Sequence, residues 1–432
     1  LAPGTGKTPT TLVALQEAGP HRVLIVAPKT MVGHWIDLAA VWYPALQVVD
    51  GTGNRDLRQC ARALVRGKPE RPTALVLNYE AMRTDVETLS DIVWGALVAD
   101  ECHRLKNRRA LVTKTAKRLT RHPRMWCWLL SGTPIPNRPE EAWSLLNLID
   151  RHRFSSYWNW VEEHCTTEPI YKGRMRVANA RTITGLQPGA VERVREQLAD
   201  VLLYRTLEEL LPDLPEVTTT TVTVALDDEE RRIYDHLSER YWAELGDGIL
   251  LQAPNDVARI TRLRQMVSDI SILRPGEPGT KVRAAAELAS DLEPAQVVVL
   301  TWSRGAAEGV AGLVGGEFIH GGVSAGERRR ILDSFKSGDL RVLAGTLSTL
   351  GEGMDGMQVA HHMIRLDRDW TPARNEQAIA RIRRSGQRSD AVFCWDITAA
   401  DTVDAVVERA LRHKEDVLTA VLSSGSGYPP GV

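Results

Sequence analysis

No apolar run in the 432 residues approaches the roughly 20 needed to cross a bilayer, so no membrane-spanning helix is expected. Cysteine is sparse. Cys60, Cys102, Cys127, Cys165 and Cys394 are scattered, odd in number and never spaced as CxxC. This argues against a zinc site or a disulfide framework and for a reducing, cytoplasmic compartment. Net charge is almost lacking: 54 basic against 55 acidic residues leave −1. A uniformly basic surface is therefore excluded, while local basic grooves stay open. An initiator Met is missing, and so is a strand ahead of the first motif. The chain is thus expected to be a fragment, and the missing N-terminal signal says little. What is present is 43% hydrophobic and 25% charged residues, the balance of a globular protein long enough for two or three domains.

Short, β-branched-rich segments that are apolar on both faces recur in the first part: Val23 to Ala27, Ala74 to Leu77, Ala96 to Ala99 and Trp128 to Leu130. Such runs suit buried parallel strands, and the amphipathic stretches between them, such as Asn107 to Leu119, suit covering helices. From Asp150 to about Leu203 aromatics, charges, Pro and Gly mix without strand rhythm, and a helical protrusion is expected. Leu210 to Pro215 resembles a linker, since Pro212 and Pro215 interrupt helix. Thr218 to Ala225 then reads as a strand and Asp227 to Leu245 as a helix with an acidic start. A second alternating block begins near Lys281, with strands at Val297 to Thr301, Phe318 to His320, Val342 to Gly345, Met363 to Leu366 and Ala391 to Trp395. The expected domains are an α/β lobe over 1–150, a helical protrusion over 151–205, a linker with a second helical insertion over 206–280, a second α/β lobe over 281–422, and a disordered Gly/Ser/Pro-rich tail over 423–432.

Gly4, Thr5, Gly6, Lys7 and Thr8 match the end of a phosphate-cradling loop. Glycines let backbone N–H groups approach phosphate oxygens, and a following helix points its N-terminus at the anion. Lys7 would bridge the outer phosphates and Thr8 would hold Mg²⁺. Asp100 and Glu101 follow the strand Ala96 to Ala99. The first is placed to bind Mg²⁺ and the second to orient or deprotonate an attacking water. Read alone, either group is an ordinary turn or a solvated strand end; together they point to a nucleoside triphosphatase. His103 and the strand-end run Ser131, Gly132, Thr133 are candidates to relay between that site and a neighbouring surface; a surface histidine explains the first equally well, and a simple turn is the favoured reading of the second taken alone. Gly351 to Asp355 forms a Gly-rich strand-end loop, in which Gly353 and Asp355 are candidates to contact a ribose or phosphate. Gln377 to Gln387 reads as a basic helix. Arg381 and Arg384 stand three apart, so they share one helix face and suit a γ-phosphate; a solvated basic helix is the alternative.

These blocks resemble, in order and detail, the Swi/Snf-type DNA-translocating ATPases of helicase superfamily two. The resemblance rests on DECHRLKN (Asp100 to Asn107), LLSGTPIPNRPEEAWSLLNLI (from Leu129), APKTMVGHW (Ala27 to Trp35), LNYEAMRTD (Leu77 to Asp85) and YRTLEELLPDLPE (Tyr204 to Glu216). It continues through HGGVSAGERRRILDSF (His320 to Phe335) and LDRDWTPARNEQAIARIRRSGQ (Leu366 to Gln387), and covers Leu1 to about Lys414. Departures are Leu1-Ala2-Pro3 in place of an acidic lead-in, Cys102 for Ala, Asp355 for Asn and Arg383 for His. The absence of accessory-domain signatures suits a compact bacterial or phage-type member.

The resemblance implies two RecA-like lobes, each a parallel sheet with helices on both faces, with a helical insertion between them. It implies ATP hydrolysis with Mg²⁺ as cofactor. It also implies double-stranded DNA as partner, tracked by backbone contacts from Lys29, Thr30, Trp35, Arg304, Gly321 and Gly322, with Gln377 among the coupling residues. A monomer is expected. Trp302 and Trp370 are read as packing rather than base-stacking residues. A strand-separating helicase, a nucleotide-gated binding module with little turnover and an RNA-stimulated ATPase remain alternatives.

Overall fold

The structure is a computed structural model that describes residues 5–422, except 68–69, 123–124, 133–138, 173–174, 204, 206, 241, 246–248, 253–255, 273–276, 351–355 and 385. Two compact units divide the chain: Leu1–Leu210 with Asp416–Val432, and Leu211–Glu415.

The first unit runs α1 (Lys7–Ala18), β1 (Arg22–Ala27), α2 (Val32–Trp42), β2 (Gln47–Asp50), α3 (Arg55–Arg66), β3 (Thr73–Asn78), α4 (Tyr79–Thr84), α5 (Val86–Ser90), β4 (Ala96–Ala99), α6 (Leu111–Leu119), β5 (Trp126–Leu129) and α7 (Pro139–Ile149). Its five strands are parallel, in the order β2-β3-β1-β4-β5. Alternate residues of each strand serve opposite layers, as the two-residue period dictates. Val23, Ile25, Ala74, Val76, Ala96 and Val98 pack under α1 and α2, whereas Leu24, Val26, Leu75, Leu77 and Leu97 pack under α3 to α7. The central strands are buried on both faces, which is why they read as continuous apolar runs. Helix starts follow local chemistry; Asn54, for example, accepts the Leu57 N–H at the head of α3.

Residues 151–205 differ from the expected helical protrusion. α8 (Tyr157–His164) is followed by an antiparallel hairpin, β6 (Cys165–Lys172) with β7 (Met175–Leu186), and then by α9 (Ala190–Leu198). The helical parts are anchored on α7: Trp160, Val194 and Leu198 pack with Ala142, Trp143 and Leu146. The hairpin lies outside the sheet. Its two strands pair only with each other, so no sheet core demands alternation and the sequence shows no strand rhythm. A short α10 (Leu207–Leu210) ends this unit.

The second unit contains β8 (Glu216–Val224), α11 (Asp228–Arg240), β9 (Trp242–Leu245), β10 (Ile249–Gln252), α12 (Asp256–Ser268), α13 (Thr280–Asp291), β11 (Val297–Thr301), α14 (Arg304–Val314), β12 (Glu317–Ile319), α15 (Ala325–Ser337), β13 (Val342–Thr346), α16 (Leu347–Leu350), β14 (His362–Arg365), α17 (Pro372–Ile379), β15 (Ala391–Ala399) and α18 (Val403–Leu422). Six parallel strands form the sheet β12-β13-β11-β14-β15-β8. Here the expected boundary needs correction. β8 is part of this sheet, pairing along its whole length with β15, so the lobe begins near 211 rather than 281. The expected helix over 227–245 stops at Arg240, and Trp242–Leu245 instead pairs with β10.

Candidate nucleotide and coupling site

In the first unit the candidate residues gather at the carboxyl ends of β1, β4 and β5, the end of a parallel sheet where ligands bind. Gly6 adopts φ 78°, a left-handed conformation that costs glycine nothing, and hands the chain into α1 at Lys7. Neither an acidic residue nor a side-chain cap occupies the first turn of α1, leaving its N-terminus suited to an anion. Lys7 is half-buried and Thr8 is buried. Thr5 is described, but Gly4 lies outside the described residues.

Asp100 follows β4 and is only 5% exposed. Its Oδ2 accepts the indole N–H of Trp35 at 3.0 Å, its Oδ1 accepts the Glu101 N–H at 3.0 Å, and its carbonyl oxygen accepts the Tyr79 hydroxyl at 2.5 Å. Burial raises the pKa of this carboxyl above the ordinary aspartate value, helped by the neighbouring Glu101 charge, while the Trp35 hydrogen bond and the Lys7 charge pull it down. Glu101 holds φ 52°, a strained position for a residue with a Cβ, and its Oε2 lies 3.2 Å from Nδ1 of His103. Cys102 is buried, and burial keeps its thiol protonated, so it acts here as packing.

The Cys102 N–H donates to the Leu130 carbonyl at 2.8 Å, tying the acidic loop to the strand end that carries Ser131. Ser131 is buried and Gly132 half-buried; Thr133 lies outside the described residues. Lys7, Cys102 and Ser131 line one cavity of about 340 Å³, walled otherwise mainly by apolar residues such as Leu145 and Leu146 of α7.

Lys29 and Thr30 are exposed in the turn after β1, as a contact surface requires. Trp35 is not. It is fully buried in the layer under α1 and α2, so its expected role as a DNA contact is corrected to that of a core residue whose N–H serves Asp100. Tyr79 stands within LNYEAMRTD, yet nothing in the sequence gives it a role of its own, because its hydroxyl reaches a backbone carbonyl that no pattern marks.

In the second unit Arg304 is exposed at the start of α14, and Gly321 and Gly322 are exposed in the turn after β12. Gly353 and Asp355 lie outside the described residues. Gln377 is half-buried on α17. The basic helix expected through Gln387 ends at Ile379, and Arg381 and Arg384, both half-buried, sit in the turns that follow. They therefore do not share a helix face. Their turn is held by Gln387 instead. Its amide donates to the carbonyls of Ala360 and Ile382 and accepts from the N–H groups of Arg388 and Ser389, at 2.8–3.0 Å. Arg383 donates to the Pro215 carbonyl at 2.8 Å, fastening this turn to the residue ahead of β8. Trp302 and Trp370 are half-buried, with the Arg264 guanidinium 5.5 and 5.2 Å from their ring centres, consistent with packing roles.

Residues 3–272 match the family described as SNF2-related domain. The chain belongs to this SNF2-related family. Residues 280–386 of the SNF2-related chain match the helicase conserved C-terminal domain, which falls within the second sheet's unit. Each unit carries one parallel sheet covered by helices, the two-lobed α/β fold expected from the sequence, and the SNF2-related match extends from the first unit into the second. A probable ATP-dependent DNA helicase of Arabidopsis thaliana, CHR12, is 25% identical over 98% of this chain and 40% of its own length. The TATA-binding protein-associated factor mot1 of Schizosaccharomyces pombe is 32% identical over 44% of this chain and 9% of its own length. The SNF2-related chain spans about 40% of the length of the two Arabidopsis helicases it matches. A solved structure, the Sulfolobus solfataricus SWI2/SNF2 ATPase core in complex with dsDNA, covers 98% of this chain and 87% of that one, at 20% identity and a TM-score of 0.42.

Proposed function

We propose that this chain hydrolyses ATP and uses the cycle to track along double-stranded DNA. One observation carries the reading: Lys7, at the head of a helix with no side-chain cap, lines the same cavity as Ser131 and as Cys102, which follows the buried Asp100 and its neighbour Glu101 in the chain, at the strand ends of one lobe. The reaction is ATP + H₂O → ADP + phosphate. Gly6 and the first turn of α1 cradle the phosphates, and Lys7 neutralises the outer two. The donors fit Mg²⁺, being hard oxygens: the Thr8 hydroxyl and the Asp100 carboxylate, which keeps acceptor capacity beyond its two hydrogen bonds. Bound Mg²⁺ would offset the negative charge of the phosphate oxygens. Glu101 orients the attacking water and takes its proton, with His103 fixing the carboxylate's orientation.

Arg381 and Arg384 of the second lobe are assigned to the developing charge on the γ-phosphoryl. Lys29, Thr30, Arg304, Gly321 and Gly322 supply backbone contacts to DNA, a role their exposure supports. A reducing, cytoplasmic setting suits the five free cysteines. The test is phosphate release with duplex DNA, single-stranded DNA, RNA and no nucleic acid, together with strand release from a forked duplex. Duplex-stimulated turnover without strand release is expected. Strand release would replace this reading with that of an unwinding helicase, and turnover stimulated by RNA alone would replace it with an RNA-dependent one.

A further inference from the structure

Two segments of the first lobe converge on Asp100 from opposite layers of the sheet. Trp35 comes from α2, one turn in from the exposed Lys29 and Thr30. Its ring is fixed on all sides by the core, packed with Leu12, Leu15 and Ile25 among others, so the direction of its N–H is set by packing. Indole has a single donor and no acceptor, and that donor goes to Asp100 Oδ2 at 3.0 Å. Tyr79 comes from the first turn of α4, in the other layer, and its hydroxyl donates to the Asp100 carbonyl at 2.5 Å. The Asp100 side chain is thus gripped at one oxygen and its backbone at another. The next residue, Glu101, sits at a positive φ that persists only where its surroundings over-determine it.

We infer that Trp35 and Tyr79 are positioning residues for Asp100, linking the two surface segments that open α2 and α4 to the carboxylate that takes the metal–nucleotide. This rests on the reading of Asp100 as a metal-holding residue. The geometry favours a positioning role over plain packing because both donors end on the same residue, one on its side chain and one on its main chain. A core tryptophan serving only volume would satisfy its N–H on a nearby carbonyl, as Trp94 does on Leu89.

The test uses Trp35→Phe and Tyr79→Phe in the full chain. Each keeps a ring and removes the donor. Affinity for a non-hydrolysable ATP analogue is measured by titration calorimetry with Mg²⁺ and with EDTA. The ratio of the two isolates the metal-dependent gain from protein stability. A hydrogen bond to a charged group corresponds to about tenfold or more in an equilibrium constant, so Trp35→Phe is expected to lose about tenfold of that gain while its affinity in EDTA stays unchanged. Tyr79→Phe, which removes one hydroxyl, is expected to lose several-fold. Both should bind duplex DNA with parental affinity yet show reduced stimulation of turnover by DNA. If both phenylalanine variants keep the parental Mg²⁺ gain, the positioning role is overturned. Asp100→Asn separates the two failures: were it also to keep the gain, the metal reading of the site itself would fall.

Discussion

Arg365 on β14 and Asp396 on β15 stand directly opposite each other in register, and each side chain is only 3% exposed. The guanidinium donates to the carboxylate through two bonds, of 2.6 and 2.9 Å. Asp396→Asn removes the charge while keeping the shape, taking from the buried guanidinium the carboxylate charge that its two bonds reach. Breaking a buried pair from one side costs about 3–5 kcal/mol. For a unit the size of Leu211–Glu415, each kcal/mol moves the melting temperature by about 2–4 °C, so a drop on the order of 10 °C is expected for the second lobe. Differential scanning calorimetry of the full chain reads it, with hydrogen exchange of β14 and β15 peptides assigning the loss to this lobe. Arg365→Met combined with Asp396→Leu removes both ions of this pair and should recover part of the loss; the recovery is incomplete because Arg368, whose Nε lies 3.8 Å from the Asp396 carboxylate, loses that charge as well. A single variant that melts within about 2 °C of the parent, with unchanged exchange, would refute the idea that this pair is energetically committed.

Lys7→Ala should abolish turnover, and Glu101→Gln should lower it by roughly 10²–10⁴-fold while nucleotide still binds; both are read by phosphate release. Arg384→Ala should spare ATP binding and cut hydrolysis by about 10³–10⁵-fold, and equal turnover would remove its finger role. EDTA should bring turnover to background. DNA affinity should fall steeply with salt, checked by fluorescence anisotropy across a salt series. His362 is pushed down to about 4 by burial, with His361 adding to the effect. The unfolded state then binds more protons between about pH 4 and 6.5, so stability of the second lobe should fall as pH drops through that window. His362→Gln should flatten the decline in thermal melts between pH 7 and pH 5.

Much of the architecture was legible from residues alone. Val23 to Ala27, Ala96 to Ala99 and Val297 to Thr301 announced themselves as strands because a strand buried on both faces must be apolar at every position. The hairpins β6–β7 and β9–β10 did not, since strands outside a sheet's core carry no such demand. The basic run from Gln377 kept a helical spacing on paper. In three dimensions it breaks after Ile379, where Gln387 satisfies backbone groups that a continuing helix would have paired.

Local chemistry alone determined the glycine-lysine turn at Gly6 and Lys7 that opens α1, the adjacent carboxylates after an apolar strand, and the order of the motifs, because each can be read from the chain itself. Tertiary structure alone decided that β8 completes the second sheet and that Trp35 lies in the core. It also decided which donors reach Asp100, from 65 residues away for Trp35 and 21 for Tyr79. A hydrogen bond between distant residues leaves no spacing in the sequence. It exists only once the two layers of the sheet have closed over the carboxylate, where burial makes an unpaired donor costly and so selects the partner.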